Sequence, residues 1–219
     1  MSQPDSFLDE VTEEVRRDQM IAFLRRNAVW IVAVVLLVVG GAGFLEWQKA
    51  KTRAEAQARG DALYAALQAE DPAARLEALN ALGAEGAEAA ALLDIARANA
   101  ALGAGDRAQA LALLEEVASR GAASEALRNV ARLKYAAAGA GTADPAARED
   151  MLLPMLADGH PLRAAALEQR ALIRLEQGDA AAAVADLSAI ANDETAPDAL
   201  RSRAEQVIAI ISADEAADG

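Results

Sequence analysis

Two stretches of this chain repeat one another, and that repeat restricts the fold more than any other feature. Shifted by about 73 residues, residues 92–133 fall without gaps onto 165–206. Arg97 and Ala98 land on Arg170 and Ala171, and Leu102 on Leu175. Gly105-Asp106 lands on Gly178-Asp179, Ala110 on Ala183, and Leu114 on Leu187. Further on, Ala126-Leu127-Arg128 meets Ala199-Leu200-Arg201. About 15 of the 42 positions agree, and abundant Ala inflates any such match, so the seven identities that are not Ala carry the signal. They read as a helix–turn–helix hairpin in which small Ala98 and Ala171 let paired helices close up. Leu102, Leu114, Leu175 and Leu187 fill the seam, Gly opens the turn, and Asp caps the next helix.

Composition points the same way. The chain has 60 Ala among 219 residues and only 3% aromatic residues. Ala is the best helix former and a poor strand residue, which excludes a β-sandwich or barrel. Asp71-Pro72, Asp144-Pro145, His160-Pro161 and Ala196-Pro197 read as helix starts, because Pro fits the first turn, where no N–H is needed. Pro154 is expected to kink or end a helix. The pattern predicts hairpins at about 50–83, 86–120, 123–158 and 160–192, then a closing helix at about 197–212. Hairpins of this kind stack into a solenoid, each burying its apolar stripe on its neighbours. The fold class expected is all-α.

A second feature precedes the repeats. Ala28–Leu45 is an uncharged run of about 18 residues, flanked by Arg25 and Arg26 on one side and by Glu46, Lys49 and Lys51 on the other. As a helix it would span roughly 27 Å, close to a bilayer's hydrocarbon core, with Trp30 and Trp47 near its ends. The reading is a single uncleaved transmembrane anchor that includes Ala28, Trp30, Leu36, Gly40, Gly41, Gly43 and Leu45. The glycines offer a small-residue patch for a neighbouring helix, without GxxxG spacing. Basic residues balance on the two sides, so charge counting leaves the orientation open. The domains expected are an amphipathic N-terminal tail (1–27), the anchor (28–45), the helical-repeat domain (46–212) and a disordered acidic tail (213–219).

Chemistry is thinly represented. There is no Cys and one His, so thiolate chemistry, disulfides and two-His metal sites are excluded. No phosphate-cradling Gly loop or Ser nucleophile motif occurs, and a net charge of -13 opposes nucleic-acid binding. The expectation is therefore no enzyme, no cofactor, no metal and no small-molecule substrate. Arg97, Arg128, Arg170 and Arg201 recur at the repeat offset and are candidates for recognising a partner's carboxylates, or else pair locally with Glu or Asp.

The offset is close to two units of the 34-residue tetratricopeptide repeat (TPR). From Phe7-Leu8-Asp9-Glu10-Val11 through Glu13-Glu14-Val15-Arg16-Arg17-Asp18-Gln19 and Leu24-Arg25-Arg26-Asn27, and on through the Gly-Asp hairpins to Asp198–Ala204, the chain resembles alphaproteobacterial TPR-like proteins. These are related to the ancillary subunit of the SecYEG translocon, the YfgM type. The resemblance implies an inner-membrane protein with a cytoplasmic N-terminus and a periplasmic solenoid. It further implies protein partners, namely the Sec translocon and a periplasmic chaperone, and a role in assisting protein export. The alternative reading is an envelope or cell-division scaffold contacting peptidoglycan-synthesis proteins.

Overall fold

The computed structural model describes the backbone of residues 4–218 and the side chains of 25–26, 29–30, 36–37 and 39–213. Two compact units are present, Met1–Asp61 and Ala62–Gly219. Every regular element among the described residues is helical. The elements are α1 (Pro4–Leu67), α2 (Pro72–Asn80), α3 (Ala87–Gly103), α4 (Arg107–Ser119), α5 (Glu125–Ala138), α6 (Pro145–Leu152), a short 3-10 turn (Leu153–Met155), α7 (Arg163–Glu176), α8 (Ala180–Ala191) and α9 (Asp198–Asp218). The expected tail 1–27 lies outside the described side chains apart from Arg25 and Arg26, as does most of the acidic end 213–219.

The transmembrane helix expected over Ala28–Leu45 is corrected. Among the described residues, no helix is long and apolar enough to cross a membrane. The stretch forms part of a continuous 64-residue helix, α1. Its described part holds Gly40, Gly41, Ala42 and Gly43, which contribute little hydropathy, and it runs without a break into Glu46, Lys49 and Lys51. Each such charge costs a few kcal/mol at a bilayer centre, so extending the apolar window in that direction fails. The side chains of Ala28, 31–35 and 38 lie outside the description.

In the second unit, turn chemistry sets the helix starts. Asp71 accepts a hydrogen bond from the Ala74 N–H at 2.8 Å, with Pro72 in the first turn. Asp106 and Asp179 cap α4 and α8 in the same way, accepting from Gln109 and Ala182 at 3.0 Å each. The glycines before them, Gly105 and Gly178, take φ of 84° and 80°, a left-handed conformation that side chains with a Cβ disfavour. His160 Nδ1 accepts from the Leu162 N–H, so this histidine closes the turn before α7. Pro154 lies inside the 3-10 turn that ends α6.

Packing is nearest-neighbour. Ala91, Ile95, Ala98 and Ala101 of α3 bury against Ala110, Leu114 and Val117 of α4 and Ala131 of α5. Ala171 of α7, Ala183, Leu187 and Ile190 of α8 and Ala204 of α9 form the matching cluster. Ala136, Leu152, Met155, Ala166 and Ile173 join the two, while Ala66, Leu79, Leu93 and Ala100 seal the N-terminal end. Each fully buried Leu or Ile contributes roughly 1.5–3 kcal/mol by leaving water.

The first helices of successive hairpins touch: α3 meets α5, α5 meets α7 and α7 meets α9. The second helices α4, α6 and α8 make no comparable contact with one another. A stack tighter on one side than the other bends toward the tight side, so α3, α5, α7 and α9 line the inner face.

Candidate functional site: the face of the first helices

Polar pairs set the register of the inner face. Glu88 on α3 accepts from the Ser124 N–H before α5 at 2.6 Å. Lys134 on α5 donates to Asn99 on α3 at 3.0 Å, and Arg203 on α9 donates to Glu168 on α7 at 2.8 Å. The partners stand 36, 35 and 35 residues apart, one hairpin repeat in each case.

Between α7 and α9 the face opens into a slot of about 180 Å³. Its floor is Ala171, Leu187 and Ala204, its walls are Leu172, Leu175 and Val207, and Glu168, Gln169 and Arg203 stand at its mouth. Small floor residues leave the depth, and the aliphatic walls make it an apolar socket with an ion pair on the rim. Leu172 and, beyond the slot, Ile210 are exposed on this face. Leu92 and Val130 are exposed on α3 and α5. One large aliphatic side chain per first helix is thus left facing out.

The arginines singled out from the sequence are placed differently from one another. Arg97 donates to the Leu79 carbonyl through Nε and Nη2 at 3.2 and 3.1 Å, to the Leu82 carbonyl at 2.7 Å, and to Asp94 at 2.9 Å. Arg170 grips both oxygens of Asp186, at 2.8 and 2.6 Å. That grip raises the Arg170 pKa above its ordinary value, chiefly through the hydrogen bond and against the effect of burial. Arg128 turns back onto the carbonyl of Ala123, and Arg201 pairs with Asp198 in the first turn of α9.

The repeat-signature residues divide into core and turn. Ala98, Ala110, Ala171 and Ala183 have no exposed surface, Leu114 and Leu187 are buried, and Leu102 and Leu175 pack on the edges of the same clusters. The residues expected in the anchor, Trp30, Leu36, Gly40, Gly41, Gly43 and Leu45, are exposed along α1. The rings of Phe44 and Trp47 on that helix lie 6.0 Å apart, tilted at 35°. Among the described residues, no three His, Asp or Glu side chains gather as a metal site.

A family model described as a tetratricopeptide repeat-like domain matches residues 22–152. The chain belongs to the tetratricopeptide repeat-like family. Neither the curated proteins nor the solved structures compared with it gave a match. Domains of this family are typically interaction modules; the slot lies C-terminal to the matched residues. Leu172, Val207, Glu168 and Arg203 escaped the sequence reading, which sought positions where the repeats agree. These four stand where they disagree: at the 73-residue offset they meet Asn99, Lys134, Ile95 and Val130.

Proposed function

We propose that this TPR-like chain is a protein-interaction module with no chemistry of its own, which holds a partner polypeptide on its inner face. The slot between α7 and α9 carries the reading. An uncovered aliphatic socket with a rim ion pair suits one apolar side chain of a partner, and Leu92, Val130 and Ile210 extend the contact along the stack. Solenoids use such extended faces to hold helices or strands of other proteins. The finer proposal is that the partners belong to protein export, the Sec translocon and a periplasmic chaperone, with the repeat domain in the periplasm. Its support is the N-terminal motif Phe7–Gln19 together with the repeats.

Affinity capture with the full chain and with Leu172→Asp tests both levels. The wild-type chain is expected to retain export components and the variant to lose them, with unchanged helical circular dichroism. Equal retention by the two chains overturns the inner-face reading. Retention of septal peptidoglycan-synthesis proteins in place of export components overturns the finer one. A reporter fused after α9 that is active only in the cytoplasm overturns the periplasmic assignment.

A further inference from the structure

Charge is distributed unevenly through the repeat unit. Residues 62–219 carry 25 Asp and Glu against 13 Lys and Arg. Most of the cations are turned inward. Arg75 donates to the Ala69 carbonyl, Arg97 to those of Leu79 and Leu82, and Arg128 to that of Ala123. Arg148, only 1% exposed, donates to the Ala136 carbonyl and to Glu176, while Arg170 and Arg174 share Asp186. With a net charge of -12 over these residues, the field around the unit is negative.

That field coincides with a groove on the outer side of the stack. Because α4 and α6 do not close on each other, a cleft of about 440 Å³ lies between them over α5. Its apolar lining is Ala118, Ala147, Met151 and Pro154, and Leu153 next to Pro154 is 59% exposed. Glu115 on α4 and Asp150 on α6 line the cleft, both exposed and neither with a pairing partner among the described residues. The cleft's single cation, Arg132, gives its Nη1 to Asn129 Oδ1 at 2.8 Å. Met151 is unbranched and adaptable, which suits a surface that accepts varied apolar side chains.

We propose that the α4–α6 groove is a second docking surface, whose occupant is a basic amphipathic polypeptide segment. Such a segment lays an apolar face along Met151, Pro154 and Leu153 and brings Lys or Arg to Glu115 and Asp150. Charge complementarity selects this occupant. An acidic peptide or a nucleic acid meets repulsion at both carboxylates, and a neutral one leaves them unpaired. The proposal goes beyond the inner-face reading, since no residue of the slot takes part.

The test uses the full chain and a fluorescently labelled synthetic helical peptide with one Leu face and one Lys face, read by anisotropy. Glu115→Lys with Asp150→Lys is expected to weaken binding about tenfold or more. The control Glu194→Lys with Glu205→Lys changes net charge equally at exposed sites away from the groove, and is expected to weaken it no more than about threefold. Replacing the peptide's Leu by Ser is expected to cost about tenfold. If the two double variants weaken binding equally, or if the Leu-free peptide binds as well, the attraction is unspecific and the groove is overturned. Thermal melts check folding, with Glu115→Gln and Asp150→Asn as the substitutes should the reversals unfold the chain. Leu172→Asp is expected to leave peptide binding intact. Loss of binding there instead moves the peptide to the inner face and overturns the groove while leaving the inner-face reading standing.

Discussion

The α3/α5 seam and the α7/α9 seam occupy equivalent places in the two repeated stretches, yet their polarity is inverted. In the first, Ile95 and Val130 are apolar, and the Lys134–Asn99 hydrogen bond lies one turn further along. In the second, the ion pair Glu168–Arg203 takes the positions of Ile95 and Val130, and Leu172 and Val207 take those of Asn99 and Lys134. At the second seam Leu172 and Val207 wall the slot. The backbone repeat is therefore a frame on which binding character is set by four side chains. The lesson extends to the hairpin interiors. Asp94 on α3 and Asp186 on α8 are 7% and 5% exposed; Asp94 binds Arg97 of its own helix and Arg120 just after α4, whereas Asp186 binds Arg170 and Arg174, both of α7.

The most disruptive way to probe this pairing is to remove the buried carboxylates. Asp186→Ala takes the hydrogen-bond partner from Arg170, leaves Arg174 only the Ala182 carbonyl, and should cost about 3 kcal/mol in denaturant unfolding. Asp94→Ala should cost less, about 1–2 kcal/mol, because Arg97 keeps the carbonyls of Leu79 and Leu82. Equal losses would show that those carbonyl bonds contribute nothing. Next comes the exchange of seam polarity. Leu172→Asn with Val207→Lys should close the slot and weaken partner capture by about tenfold or more, with stability changing by under about 1.5 kcal/mol. The reciprocal Asn99→Leu with Lys134→Val should open an apolar seam at α3/α5, read as gain of capture by a chain already carrying the first exchange.

Smaller effects test the shared frame. Gly105→Ala and Gly178→Ala should each destabilise by about 1 kcal/mol, since both turns hold φ near 80°; markedly different values would separate the two turns. The smallest is a pH effect. Arg148 hydrogen-bonds Glu176 and holds its carboxyl below the usual value of 4.5. A lowered folded-state pKa stabilises fully above that ordinary value and fades as pH falls through the lower one. Thermal melts from neutral to acidic pH should therefore show a decline that Glu176→Gln makes shallower.

Much of the frame could be read from residues whose roles are local. Gly-Asp pairs name their own turn and cap, and Pro after Asp marks a helix start wherever the chain is heading. The slot is not local. Leu172 looks like any seam leucine until α9 is placed beside α7, and exposure depends on that placement. Arginine partners are not local either: Arg97, Arg148 and Arg170 reach acceptors 12 to 28 residues away. The apolar run 28–45 reads as an anchor from its hydropathy, its flanking charges and the Trp residues near its ends. Over the described residues, its glycines and the charges that follow outweigh that reading.

Helix α9 rests on α7 and α8 and leaves Ile210 61% exposed, so along much of its length it is gripped from one side. In a stack held by nearest neighbours, a helix gripped from one side frays at the smallest free energy. Amide exchange should accordingly run fastest through α9, well ahead of α3. The socket walled by Val207 is then built at the loosest joint of the unit, where a guest stiffens its host by arriving.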